Sequence, residues 1–324
     1  MNIITIGASA GGIAAVSKLL ATIPPDIDAA LFIVIHLSRD AEPSTVLSIL
    51  NKHSKIRIQI PENNTNIVTG KAYLAPVDAH MIIQKGLIAV TKGAKENHWR
   101  PAIDVLFRTA AAAYDSCVTG IILTGLLDDG TSGMVAIKEA GGICIVQEPE
   151  EAEFADMPNS VIRNIDVDYR VPLVDIGFIL SDIYTREACI PAAVSEKIRK
   201  ESEITVRMAS SYEETGQLGE ATAITCPDCG GVLTKIEEQK NIRYRCFTGH
   251  VFTDHALRQS QIDKSEEALW VAIRLMEERR NFILTNHNDL NITHALKEDR
   301  KKRASDLKIH IDRLKEILAQ TSTP

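Results

Sequence analysis

Asn2-Ile3-Ile4-Thr5-Ile6-Gly7-Ala8-Ser9-Ala10-Gly11-Gly12 is a β-branched run that ends in small residues. An apolar-periodic stretch follows through Ile13, Val16, Leu19 and Leu20. The pattern is that of a buried strand, a tight turn and a helix. A dinucleotide fingerprint would need glycine where Ser9 stands. Instead, Gly7-Ala8-Ser9-Ala10-Gly11 fits Gly-x-Ser-x-Gly, in which a turn lifts a serine out at the carboxyl end of a strand. Standing alone, the pattern also describes a packing device or a phosphate cradle.

Working outward, strand and helix patterns alternate to about residue 185. Leu31 to Ile35 is a second buried strand that ends at His36, and Glu42 to about Asn51 is a helix with Pro43 in its first turn. Short extended segments follow, of which 81–84 and 87–91, joined by Lys85-Gly86, form a hairpin. Pro101 to Tyr114 is a helix, Val118 to Thr124 a third long strand, and Ile143 to Gln147 a fourth. This rhythm predicts an α/β fold with a doubly wound, mostly parallel sheet. Ligands in such sheets lie beyond the carboxyl ends of the strands. Ser9, His36 and Asp129 each fall at or just past such an end. They are a nucleophile, a base and an orienting acid on one rim. The alternatives are a hydrogen-bonded loop histidine and an Asp-Gly turn or helix cap.

Five motifs in order give a resemblance to the CheB family of chemotaxis protein-glutamate methylesterases. They are 6–12 (IGASAGG), 35–37 (IHL), 73–81 (YLAPVDAHM), 100–107 (RPAIDVLF) and 123–130 (LTGLLDDG) with Gly133-Met134. The order Ser, His, Asp departs from ordinary α/β-hydrolases, whose acid precedes the histidine. The resemblance implies hydrolysis of glutamate methyl esters, with glutamine deamidation by the same attack geometry. Ser9, His36 and Asp129 would be the triad, with Asp128 as the competing acid. The backbone amides of Ala10 and Leu126 would form the oxyanion hole, and no catalytic cofactor is implied. Ala10, Leu126 and Leu127 stand where threonine, methionine and glycine are common in the family. Residues 98–104 and 76–81 would wall the site, with His80 and His98 in supporting roles. The catalytic strand begins by residue 3, so a receiver-type switch of the kind usual in chemotaxis members is expected to be absent.

Beyond this region the composition turns polar over about 192–224, which reads as a linker with one short helix. Cys226-Pro227-Asp228-Cys229 and Cys246 to His250 then form two knuckles at zinc-ligand spacing. His250 is the fourth donor and His255 its rival; Gly230 and Gly249 would permit the turns. A closed set would make the zinc structural, in a module dependent on metal for folding. An amphipathic helix over 265–282, a break at 286–291 and a second helix from 293 complete the chain. That pair could pack on itself or form a dimer or docking seam. The expected organisation is a catalytic domain (1–190), a linker (191–223), a zinc-ribbon-like module (224–255) and a helical tail (256–324).

The chain has 324 residues, 45% hydrophobic and 24% charged, with a formal net charge of −7. The acidic balance, and the mixed-sign run from Lys297 to Arg303, argue against nucleic acid. No apolar run spans a bilayer and no basic leader precedes the first strand, so a cytoplasmic protein without membrane insertion is expected. Of six cysteines, Cys117, Cys144 and Cys189 read as buried thiols in a reducing compartment. Expected partners are a methylated receptor or signalling protein as substrate and, through the tail, a CheR-type methyltransferase or sensor kinase. The alternative is a non-catalytic docking module of the same fold.

Overall fold

The structure is a computed structural model that describes residues 1–37, 41–185, 189, 194–238, 240–285 and 293–321. Its strands over the first 185 residues are β1 (Asn2–Ala8), β2 (Ala29–Ile35), β3 (Ile58–Gln59), β4 (Thr65–Asn66), β5 (Ala72–Leu74), β6 (His80–Gln84), β7 (Leu87–Thr91), β8 (Val118–Ile122), β9 (Ile143–Gln147) and β10 (Tyr169–Val171). The helices of this region are α1 (Gly12–Thr22), α2 (Pro43–His53), α3 (Ile103–Tyr114), α4 (Thr131–Glu139), α5 (Asp156–Asn164) and α6 (Ile176–Thr185).

Seven strands form one sheet in the order β10-β9-β8-β1-β2-β5-β3, and every pairing is parallel. The central strands are apolar on both faces because helices cover both. Ile3, Phe32 and Val34 pack with Leu106, Phe107, Met134 and Val161 on one side. Ile4, Ile6, Leu31 and Ile33 pack with Val16, Leu20, Leu50 and Ile176 on the other. The strand order reverses between β1 and β8, and the carboxyl ends at such a switch point are where open α/β sheets place ligands. β4, β7 and β6 form a small antiparallel sheet that contains the expected hairpin.

The segment expected as a linker carries α7 (Glu196–Arg207) and α8 (Tyr212–Gly216). Its polar composition hides one buried face, on which Ile198, Glu201, Ile204 and Thr205 lie. Four antiparallel strands follow, β11 (Glu220–Thr225), β12 (Val232–Glu238), β13 (Asn241–Cys246) and β14 (Val251–Thr253). This small sheet does not stand alone. Ile236 packs with Ile204 and Leu218, and a buried charge cluster ties it to the α/β region.

In that cluster Arg108 of α3 donates from Nη2 to both Glu96 oxygens at 2.7 Å. Glu201 of α7 takes Nη2 of Arg243 at 2.6 Å and Nη1 of Arg245 at 3.5 Å. Arg245 also reaches Glu96 at 3.4 Å, and Arg243 reaches Glu238 at 2.9 Å. Three carboxylates and three guanidiniums thus neutralise one another out of water. Met1–Ala256 is accordingly one compact unit.

Leu257–Pro324 is a second unit. It is built from α9 (Asp254–Thr285) and α10 (His294–Thr321), whose Ile273, Ile311 and Leu318 form a common core with Leu269, Met276 and Leu314. Lys315 pairs with Glu277 at 3.5 Å. The two helices therefore pack on each other. The expected break at 286–291 lies outside the described residues. Among the described residues no helix is long and apolar enough to cross a membrane.

One expectation is corrected. Cys117 and Cys189 are not separate thiols but are joined as a disulfide, with Cα atoms 5.5 Å apart. They lie 72 residues apart in sequence, so nothing local announced the pair; Cys144 is a buried free thiol.

Candidate active site

Parallel register brings the rim together. Ala8 faces Ile35 across β1 and β2, so Ser9 and His36 leave the sheet side by side. The His36 amide donates to Ala8 O at 3.0 Å, and the Ser9 amide to Thr124 O at 3.0 Å. The turn after Ser9 needs a left-handed residue, which Gly11 supplies at φ +73°. Gly125 allows the loop after β8 to approach, since a Cβ there would sit 2.9 Å from Ser9 Cβ and closer still to Met157.

His36 Nδ1 lies 3.3 Å from Ser9 Oγ, and His36 Nε2 lies 2.9 Å from Asp129 Oδ2. All three expected triad residues therefore form one hydrogen-bonded line. With Asp129 ionised, Nε2 carries the proton and Nδ1 is free to accept from the serine. Asp128 does not join the line; it is half-buried and interacts with Thr253 and His255.

Asp129 is 3% exposed. Its Oδ2 also accepts from the Ile103 amide at 2.7 Å, and its Oδ1 from Asn97 Nδ2 at 3.1 Å and the Asp104 amide at 3.3 Å. Ile103 and Asp104 open α3, whose N-cap residue Ala102 makes no side-chain cap. Asp129 serves as that cap from across the fold, where the helix end favours an anion. Burial alone would raise its carboxyl; the hydrogen bond and charge of His36, then the Ile103 amide and Asn97, hold it below the usual range. Neighbouring Asp104 goes the other way, driven well up first by burial and then by the charge of Asp129. Two adjacent carboxyls are thus split, one favouring the anion and one the neutral acid.

The amides of Ala10 and Leu126 donate to no acceptor among the described residues. Leu127 holds φ +66°, a left-handed angle that costs a branched side chain about 1–2 kcal/mol. Both ring nitrogens of His80 are engaged with backbone: Nε2 faces Ala94 O at 2.9 Å and Nδ1 accepts from the Ala102 amide at 3.2 Å. His98 packs edge-on to Phe252 at 6.0 Å between centroids.

Sequence reasoning missed two contacts. Trp99 stacks on the His36 imidazole, with centroids 4.1 Å apart and planes within 8°. Asn97 holds Asp129. Both sit on an irregular loop, and only the wall expected over 98–104 pointed near them.

Away from the rim, the donor atoms of Cys226, Cys229, Cys246 and His250 lie within 4.8 Å of one another. Cys229 Sγ and Cys246 Sγ are 3.7 Å apart, and Cys246 Sγ lies 3.6 Å from His250 Nδ1. A tetrahedron with metal–sulfur bonds of 2.3 Å has edges of about 3.8 Å, so the group fits a tetrahedral metal. Each knuckle turns on a positive-φ glycine, Gly230 at +76° and Gly249 at +110°. Their amides donate to Cys226 O at 2.8 Å and Cys246 O at 3.0 Å. The donor brought into the group is His250; His255 lies by Asp128.

A doubly wound sheet that places a Ser–His–Asp line at its topological switch point, with the histidine second in the chain, is an α/β protein set apart from the ordinary α/β-hydrolase fold, whose acid precedes its histidine. Residues 4–180 match the family model described as CheB methylesterase, and the chain belongs to that family. A relative from Leptospira interrogans is 40% identical over 175 residues, which are 54% of this chain and 90% of the relative. Protein-glutamate methylesterase/protein-glutamine glutaminase 1 of Geobacter metallireducens is 33% identical over 53% of this chain and 48% of its own, so the chain spans about half of that relative. The crystal structure of the Thermotoga maritima CheB methylesterase catalytic domain aligns with TM-score 0.54 and 30% identity, over 56% of this chain and 98% of that domain. The enzyme class is that of protein-glutamate methylesterases, and the docking-module alternative has no comparable support.

Proposed function

We propose that the chain hydrolyses methyl esters on glutamate side chains of chemoreceptor-like or other signalling proteins, with Ser9 as nucleophile, His36 as base and Asp129 as orienting acid. The observation that carries this reading is the line Ser9 Oγ, His36 Nδ1, His36 Nε2, Asp129 Oδ2. Ser9 Oγ attacks the ester carbonyl while its proton passes to Nδ1. Asp129 stabilises the imidazolium so formed, and the amides of Ala10 and Leu126 face the oxyanion. His36 then gives its proton to the departing methoxide, and methanol leaves. Water, activated by the same nitrogen, cleaves the acyl-serine to free glutamate and restores the hydroxyl. A glutamine amide would follow the same route with ammonia as leaving group, in keeping with the second activity named for the Geobacter relative.

The test is methanol release from a methylated receptor. Ser9→Ala is expected to reduce it to background while the fold melts normally; undiminished release sinks the assignment.

The Cys226, Cys229, Cys246 and His250 group is suited to one structural zinc, since four protein donors leave no open position. Metal analysis should find one zinc per chain, lost in Cys229→Ser; no zinc in the freshly purified protein rejects the site. A cytoplasmic location, docking of a CheR-type methyltransferase or sensor kinase by the tail, and a homodimer through the C-terminal helices belong to the same proposal. Pull-down with the full chain and sedimentation would test them.

A further inference from the structure

We propose that Asn97 is a positioning residue for the hydrolytic reaction and that strand β14 of the four-stranded module holds it in register. The inference rests on His36 and Asp129 being the base and its acid, and it adds a role for the segment beyond the family match.

The Asn97 side chain is buried and has every hydrogen-bonding partner of its polar hydrogens and one for its oxygen. Nδ2 donates to Asp129 Oδ1 at 3.1 Å and to Asp104 Oδ2 at 2.9 Å. Oδ1 accepts from the amide of Thr253 in β14 at 3.0 Å. The carboxyl oxygens require the NH2 group on their side, and the β14 donor meets the oxygen on the other, so the two sides fix the same orientation. The backbone is held by the same strand. Asn97 N donates to Val251 O at 2.8 Å, and Val251 N to Lys95 O at 3.4 Å. Asn97 sits at φ +50° and His98 at +69°, an arrangement that persists only where surrounding contacts enforce it.

The loop grips both ends of the His–Asp pair. Asn97 holds the acid, and Trp99, two residues on, lies flat against the imidazole. Glu96 closes the loop by pairing its backbone with Trp99 at 2.9 and 3.2 Å. Its carboxylate is locked by Arg108 and by Arg245 of β13. A shift of the module by a fraction of an ångström therefore reaches the atoms that set the tautomer and direction of His36. Misplacement on the scale of 1 Å costs on the order of a hundredfold in rate.

The experiment uses the full chain. Asn97→Gly removes the side chain and suits the left-handed backbone. It should lower kcat about 10- to 100-fold with KM changed less than about threefold. In proton NMR the downfield resonance of the proton between His36 and Asp129 should shift or broaden. A kcat within twofold of the parent, or an unmoved resonance, overturns the proposal. Asn97→Ala removes the donor to Asp129 without adding a titrating group, and must show the same two changes should the glycine variant fail to melt cooperatively. Thr253→Pro deletes the β14 donor, and is compared with Thr253→Ala, which keeps that amide but likewise lacks the Oγ1 that accepts from Ala256 N. The loss in kcat of Thr253→Pro relative to Thr253→Ala should appear in the parent and vanish in an Asn97→Gly background; additive losses overturn the role of β14. If the parent releases no methanol, the catalytic reading fails, while the NMR comparison still decides whether Asn97 orders the pair.

Discussion

Two buried charge clusters lie within one compact unit, and they handle their carboxylates in opposite ways. Around Glu96, Glu201 and Glu238, three arginines supply full positive charge. Around Asp129 and Asp104 the hydrogen-bond partners include no guanidinium: among them are backbone amides at the start of α3, the Asn97 amide and the His36 imidazole. Guanidiniums would quench Asp129 and leave no drive to stabilise an imidazolium. His36 first, and then the Ile103 amide and Asn97, keep it anionic, and its charge stays directed at the imidazole. The first cluster is architecture; the second is poised for proton traffic.

Asp129 carries the largest expected effect. Asp129→Asn should cost on the order of 10⁴ in kcat, read by methanol release, with circular dichroism showing the fold retained. A loss of tenfold or less would place Asp129 with the architectural group. Next in size, Glu201→Ala should cost about 3–5 kcal/mol in urea unfolding, because Arg108, Arg243 and Arg245 lose a shared buried partner. A change under about 1 kcal/mol would mean that the cluster is wetter than its burial suggests.

Acid titration sharpens the contrast through its sign. Burial opposes the Glu201 anion, but Arg108, Arg243 and Arg245 hold its carboxyl down to about 2, below the usual 4.5. A depressed carboxylate stabilises the fold at neutral pH, and that contribution drains away as pH falls from about 4.5 toward 2. Asp104, raised by burial and by Asp129, has the reverse slope: its stabilising share is present at low pH and is lost as pH rises above the usual carboxylate range. Urea midpoints measured across pH should therefore fall less steeply toward acid in Glu201→Gln than in the parent; an unchanged slope contradicts the assignment. The smallest expected effect is at Leu127. Leu127→Gly relieves the left-handed angle against an entropy cost, for a net gain of about 0.5–1 kcal/mol in thermal melts.

Most of the α/β region was legible because its signals are local and periodic. β1, β2 and β8 are unbroken apolar runs, and their ends mark the rim where Ser9, His36 and Asp129 meet. The knuckle spacing likewise announced which cysteines would converge, and His250 proved to be the nearby donor. What stayed hidden depends on distant pairing. Glu-Lys-Ile-Arg-Lys-Glu-Ser-Glu at 196–203 has the composition of a spacer, yet its Glu201 is fully buried by arginines about 40 residues later and one in α3. No window of the sequence contains both halves of that bargain. Asn97 and Trp99 were obscured for the same reason: their roles are set by β14 and by His36, not by neighbours in the chain. The disulfide between Cys117 and Cys189 is a third case.

The interlock of Glu96, Arg108, Glu201 and Arg245 bears on how this protein can be divided. A fragment trimmed where the family match stops, at residue 180, would keep every residue of the Ser–His–Asp line. It would also bare the flank of α3 against which α7 lies and free the loop that carries Asn97 and Trp99. Domain boundaries drawn by homology and boundaries drawn by mechanics thus part company here. The compact unit that holds the Ser–His–Asp line in this chain runs to Ala256, well past the family match.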